Sequence, residues 1–272
     1  MKTIREQQVG KATVRLLEKD DGYVGAVFHP GQRSEPIEGD DPETLWRKLL
    51  AEVGKAHPSY FGFDGAMARF RKYFPAAFED PGYAYEERAY KDRAVAKVAA
   101  TLPIEKARAA GPELCLAATR AFQATNLVFT VEKARIGEVL AGPTGPDFIR
   151  AAAEFADGHL ATGLAKMLEA IRAKTQPSWP MLTYLPFIWQ PDRHLFLKPL
   201  VTCDFADRVG HPFARDYREG ITAAVYESLL DLATLTEREI AALRPKDLID
   251  VQSFIWVVGA YKDDDVVRTG PP

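Results

Sequence analysis

The sequence predicts an α+β protein: a small N-terminal antiparallel sheet with one helix, followed by a larger, mostly α-helical domain. Three observations carry this reading. Apolar and polar residues alternate on both sides of Asp21-Gly22, a proline-bearing helix start follows at residues 40–43, and Gly-Pro dipeptides then divide the chain into helix-length pieces.

Residues Thr13 to Phe28 place Val14 and Leu16 against Tyr23, Gly25 and Val27, with Asp21-Gly22 as a turn dipeptide that tolerates positive φ. A hairpin is expected, with a third strand over Arg33 to Glu38. Asp40 or Asp41 then serves as N-cap, Pro42 falls in the first turn, and Glu43 lies near the positive end of the dipole. Leu45, Trp46, Leu49, Leu50 and Val53 mark the buried face of that helix. Residues 1–56 therefore read as a ββ(β)α module, similar in layout to antitoxin-like domains.

Residues 57–261 read as a mainly helical domain. Met67, Phe70 and Phe74 suggest one helix and Tyr85 to Leu102 another, while Pro103, Gly111-Pro112, Gly142-Pro143 and Gly145-Pro146 punctuate the pieces that follow. Five prolines and clustered aromatics in 177–199 predict an extended aromatic segment. Helices are expected from Thr202 to Gly210 and from Ile221 to Leu243. "DLIDVQSFIWVVGAY" reads either as a helix capped by Asp250 or as a buried strand, and 262–272 as a flexible tail.

Of 272 residues, 47% are apolar and the formal net charge is -3, which argues against a surface coated in basic charge. No apolar run approaches membrane-spanning length, and no secretory pattern opens the chain, so the expectation is a cytoplasmic protein with no membrane partner. Two cysteines, Cys115 and Cys203, read as reduced thiols. "GPTGPD" lacks the GK[ST] of a phosphate loop, no GxGxxG follows a strand, and no HExxH, HxH or CxxC occurs; no cofactor and no metal are expected.

Two constellations are rich enough in chemistry to weigh. Asp192 to Arg218 contains acid, base, thiol and cation. A hydrolase-type site would use Asp192, His194, Cys203 and His211, with Cys203 in the first turn of its helix, where the dipole lowers a thiol pKa. The second, Met67 to Lys97, interleaves Arg69, Arg71, Lys72, Arg88, Lys91 and Arg93 with tyrosines and phenylalanines, the residue types that grip a nucleic-acid backbone and stack on bases. The competing reading is amphipathic helices with aromatics inside and mixed charge outside. Within 177–199, Phe187 and Trp189 are candidates for an exposed interaction anchor.

The block "YLPFIWQPDRHLFLKPLVTCDFADRVGHPFARDY", with "VYESLLDL" and "RPKDLIDVQSFIWVVGAY" after it, spans Tyr184 to Tyr261. It resembles a block of uncharacterised bacterial proteins, some of which look like accessory or DNA-recognition parts of restriction and phage-defence systems. The resemblance implies a bacterial source and a defence context and supplies no catalytic residues; with the aromatic-cationic stretch, the expected partners are a nucleic acid or a protein from the same operon. The sequence shows neither an HNH motif nor a D…ExK spacing. The leading expectation is a noncatalytic binding or accessory protein in such a system. A hydrolase and a protein-interaction module are the alternatives.

Overall fold

A computed structural model describes residues 1–9, 12–29, 32–55 and 59–262. It has the expected α+β architecture. Strands β1 (Lys2–Val9), β2 (Ala12–Lys19) and β3 (Gly22–His29) form an antiparallel meander, and the far edge of β3 pairs with β4 (Gln32–Arg33) and β5 (Ile37–Gly39). The β2–β3 register matches Val14 with Val27 and Leu16 with Gly25. The turn residues are Asp20 and Asp21, one position earlier than expected, and Gly22 takes φ +121° just after them.

Helix α1 (Pro42–Lys55) crosses this sheet, started by Asp41, whose carboxylate accepts from the Thr44 amide at 2.6 Å. Its Leu45, Trp46, Leu49 and Leu50 join Ala12, Val14, Leu16 and Val27 in one apolar cluster, with Val53 at its margin. A Cβ on Gly25 would lie 2.2 Å from a Leu49 methyl, so the bare glycine lets α1 approach the sheet closely. Strand β1 lies outside the strands that the sequence pattern predicts. "KTIREQQV" has no apolar period, because seven of its eight residues are exposed and β2 holds it by backbone pairing.

The larger body has its own apolar core, built from α2 (Gly62–Tyr73), α3 (Pro81–Tyr83), α4 (Ala89–Thr101), α5 (Ile104–Ala107), α6 (Cys115–Gln123), α7 (Thr130–Ala141), α8 (Gly145–Ala156), α9 (Leu160–Arg172), α10 (Trp179–Trp189), α11 (Pro199–Val209), α12 (Phe213–Asp216), α13 (Ala223–Glu239) and α14 (Leu248–Ala260). A π-helical stretch, Ala84–Arg88, joins α3 to α4. Among the described residues, no helix is long and apolar enough to cross a membrane.

Three expectations are corrected here. The segment 177–199 is not extended throughout: Trp179–Trp189 forms α10, which has Pro180 in its first turn and carries Pro186 inside, and residues 190–198 run without helix before α11. Every residue from Trp179 to Ile188 is buried, so no polar face exists to generate a helical period, and the prolines alone mislead. Helix α11 begins at Pro199, not at Thr202, because proline suits a first turn whose amides lack helical acceptors; it ends at Gly210 with φ 76° as expected. The closing apolar run is a helix, and its cap is Asp247, which accepts from the amides of Ile249 and Asp250. The boundary at 56–57 and residues 263–272 of the tail lie outside the described residues.

Candidate functional site

The structure does not assemble Asp192, His194, Cys203 and His211. Asp192 is exposed. His194 is buried, with Nε2 2.9 Å from the Ala156 carbonyl and Nδ1 3.2 Å from the Tyr226 hydroxyl, and burial lowers its pKa. His211 Nδ1 accepts from the Phe213 amide, and its Nε2 meets Asp231 at 3.3 Å; Asp231 also takes Arg47 of α1. Cys203 lies in the second turn of α11 rather than the first, and burial, aided by Asp207, pushes its thiol up to about 11. Each histidine has its own partners, so both read as satisfied core residues. Among the described residues, no group of three or more His, Cys, Asp or Glu is placed to hold a metal ion.

The cation constellation divides in two. Arg69 donates to the carbonyls of Val258 and Tyr261 at the end of α14. Arg88, the last residue of the π-helical stretch, grips Asp247 and Asp250 at the start of α14, at 2.7 and 2.8 Å, and Asp92 one turn on in α4. Lys91 is fully buried, with Nζ 3.1 Å from Glu87 and 2.7 Å from the Ser253 hydroxyl; Glu87 also accepts from Tyr261 at 2.8 Å. Arg69 ties the end of α14 to α2, Arg88 and Lys91 lock α14 to the π-helical stretch and α4, and all three are corrected to a structural role. Arg71, Lys72 and Arg93 remain exposed. Phe70, Tyr73, Phe74 and Tyr83 are buried; of the rings in this stretch only Tyr85 is exposed and Tyr90 half-buried beside Arg93.

The interaction anchor is corrected as well. Phe187 is fully buried, and Trp189 is largely covered, its indole N–H donating to the Leu102 carbonyl at 2.7 Å. A leucine carbonyl next to Pro103 has no helical donor of its own, and the indole supplies one.

The surface feature that combines an apolar cavity with polar groups lies elsewhere. A cavity of about 680 Å³ is lined by Phe129 and Glu132 of the α7 start, Pro177 to Pro180 of the α10 start, Lys198 to Val201 of the α11 start, Tyr217, Arg218, Gly220 and Ile221 ahead of α13, and Trp256 of α14. Helix starts converge here because proline (Pro180, Pro199) opens α10 and α11 with no side-chain cap on either. The amides of Leu200 and Val201 therefore have no carbonyl partner within the helix, and the dipole ends favour negative charge.

Lys198 defines the chemistry of this cavity. Its Nζ lies 4.0 Å from the centroid of Trp256 and 4.9 Å from that of Phe129. Burial, followed by the field of Lys91, lowers its pKa. The acidic wall residue Glu132 is already engaged: Ser178 donates to one oxygen at 2.6 Å and the Phe129 amide to the other at 3.4 Å. The mouth carries exposed apolar side chains, Phe129 at 62% and Leu200 at 88%. Apolar walls, one amine without an acceptor, and uncapped helix starts together suit an amphipathic ligand with an anionic head. Of these residues, sequence reading reached Lys198 only as a member of a long polar span. The available signal was Pro199 after Lys198, a helix start with a cation at its cap.

Comparisons with protein-family models, with curated proteins and with solved structures find no match to this chain.

Proposed function

We propose that the chain is a noncatalytic binding protein whose ligand is an amphipathic carboxylate, its apolar body in the cavity and its head on Lys198. The observation that carries the reading is the Lys198 ammonium held between Trp256 and Phe129 in a mainly apolar cavity of about 680 Å³ whose other polar wall residues include Glu132, Ser178, Tyr217 and Arg218. The half-buried Lys198 amine has no hydrogen bond to an acceptor among the described residues, so an anion that replaces solvent on it gains a charge-assisted hydrogen bond of about 1.5–3 kcal/mol.

The binding class is the one expected from the sequence; its occupant differs from the nucleic acid that the cation-rich stretch suggested. Nucleic-acid binding by Arg71, Lys72 and Arg93 is the second reading, supported by their exposure alone. A defence context rests on the resemblance of Tyr184 to Tyr261.

The test is quenching of tryptophan emission by terminally brominated alkyl carboxylates, since Trp179 and Trp256 both line the cavity. Affinity is expected to rise about fourfold per methylene until the cavity is filled, following ~0.8 kcal/mol per buried CH₂. Quenching that is absent, or that does not depend on chain length, contradicts the proposal.

A further inference from the structure

We propose that the Lys198 amine is also a covalent attachment point, condensing with an apolar aldehyde that enters the cavity. The inference rests on the reading that this cavity admits a ligand with an apolar body and a polar head.

Four described lysines are withdrawn from full solvent exposure: Lys19, Lys91, Lys133 and Lys198. Three of them spend their amines on the protein. Lys19 pairs with Glu38 at 2.7 Å, Lys91 with Glu87 and Ser253, and Lys133 with the Thr125 carbonyl. Lys198 alone of the four reaches no hydrogen-bond acceptor, and its amine borders the cavity between two rings. Glu132, the acid in the wall, is occupied by Ser178 and the Phe129 amide, so no carboxylate among the described residues hydrogen-bonds Nζ, and the fields of Glu87 and Glu132 oppose but do not outweigh burial and Lys91. Burial and Lys91 lower the pKa of Lys198, raising the fraction of neutral amine, as apolar pockets and neighbouring cations do for nucleophilic lysines.

The chemistry needs no further reactant. The nitrogen lone pair attacks the aldehyde carbon, and the carbonyl oxygen takes the proton that nitrogen releases. The resulting carbinolamine loses its oxygen as water when that oxygen gains a second proton and the nitrogen lone pair forms the C=N bond; the remaining N–H proton goes to solvent. One amine and one aldehyde thus give one imine and one water. The Tyr217 hydroxyl and the Arg218 guanidinium, both in the wall, are donors within the same cavity.

The experiment is reductive trapping of the full chain with decanal and cyanoborohydride at neutral pH, read by intact mass and peptide mapping. A single alkyl group on the Lys198 peptide, lost in Lys198→Arg and blocked by dodecanoate, is expected. Label spread over exposed lysines with Lys198 no faster than the rest overturns the inference. If Lys198→Arg does not fold, the rate of trapping at Lys198 relative to the exposed lysines of the unaltered chain still decides it. Dodecanoate binding without trapping removes this inference and leaves the binding proposal standing; trapping without dodecanoate binding or protection does the reverse.

Discussion

Glu87→Gln tests the assignment of the buried cations to structure. Lys91 is 0% and Glu87 4% exposed, and their charges lie 3.1 Å apart. With an effective dielectric of about 20, that separation is worth about 5 kcal/mol of attraction. Glutamine keeps the shape and one acceptor oxygen, enough for Tyr261 or Lys91 but not both, and removes the charge, leaving a buried ammonium uncompensated. A loss of about 3 kcal/mol is expected, at the lower end of what breaking a buried pair costs. Replacing both partners, Lys91→Met with Glu87→Leu, removes both desolvation penalties and is expected to fall within about 1 kcal/mol of the unaltered chain. Urea denaturation followed by circular dichroism reads both. The sign with pH is also fixed. Burial lowers the folded pKa of Lys91 below its ordinary 10.5, so the unfolded chain binds more protons in that window and stability rises with pH there. The gain is absent from Lys91→Met. A Glu87→Gln cost below about 1 kcal/mol would show that the pair is hydrated, and would refute the structural assignment.

Three further outcomes follow from packing and charge. A Cβ on Gly163 would lie 2.6 Å from the Phe155 backbone nitrogen where α9 crosses α8, so Gly163→Ala is expected to cost about 2 kcal/mol, whereas Gly137→Ala, with open space around it in α7, is expected to gain about 0.5–1 kcal/mol in thermal unfolding. Iodoacetamide should alkylate Cys203 about a hundredfold more slowly than an unhindered thiol near neutral pH, because a thiol moved from 9.0 to about 11 carries that much less thiolate; comparable rates would contradict its burial. If Arg71, Lys72 and Arg93 carry nucleic-acid binding, the log–log salt slope on duplex DNA is no steeper than about -3, and Arg88→Ala changes stability rather than slope; a steeper slope would require cations beyond these.

Legibility in the sequence followed the presence of a contrast between faces. The β2–β3 hairpin and α1 each bury one side and wet the other, so Val14, Leu16, Leu45 and Leu49 announced them. Strand β1 and helix α10 lack that contrast in opposite ways, one exposed on both faces and the other buried all round. The cations failed for a different reason. Arg88 and Lys91 look like surface charges until α14, some 160 residues later, brings Asp247, Asp250 and Ser253 against them. His194 looked catalytic beside Asp192, yet its partners come from Ala156 and Tyr226. The cavity was invisible because Phe129, Trp179, Lys198 and Trp256 meet only when four helices converge. Interactions between distant segments leave no local pattern to read.

The binding account is tested most directly by calorimetric titration of dodecanoate and dodecanol into the chain and into Lys198→Met. Methionine keeps the length and apolar character of the side chain while removing the amine. The account predicts that the unaltered chain prefers dodecanoate by about tenfold or more, the equivalent of one charge-assisted hydrogen bond, and that Lys198→Met binds the two probes alike. Equal affinity of the two probes for the unaltered chain, or a preference that survives Lys198→Met, would contradict it.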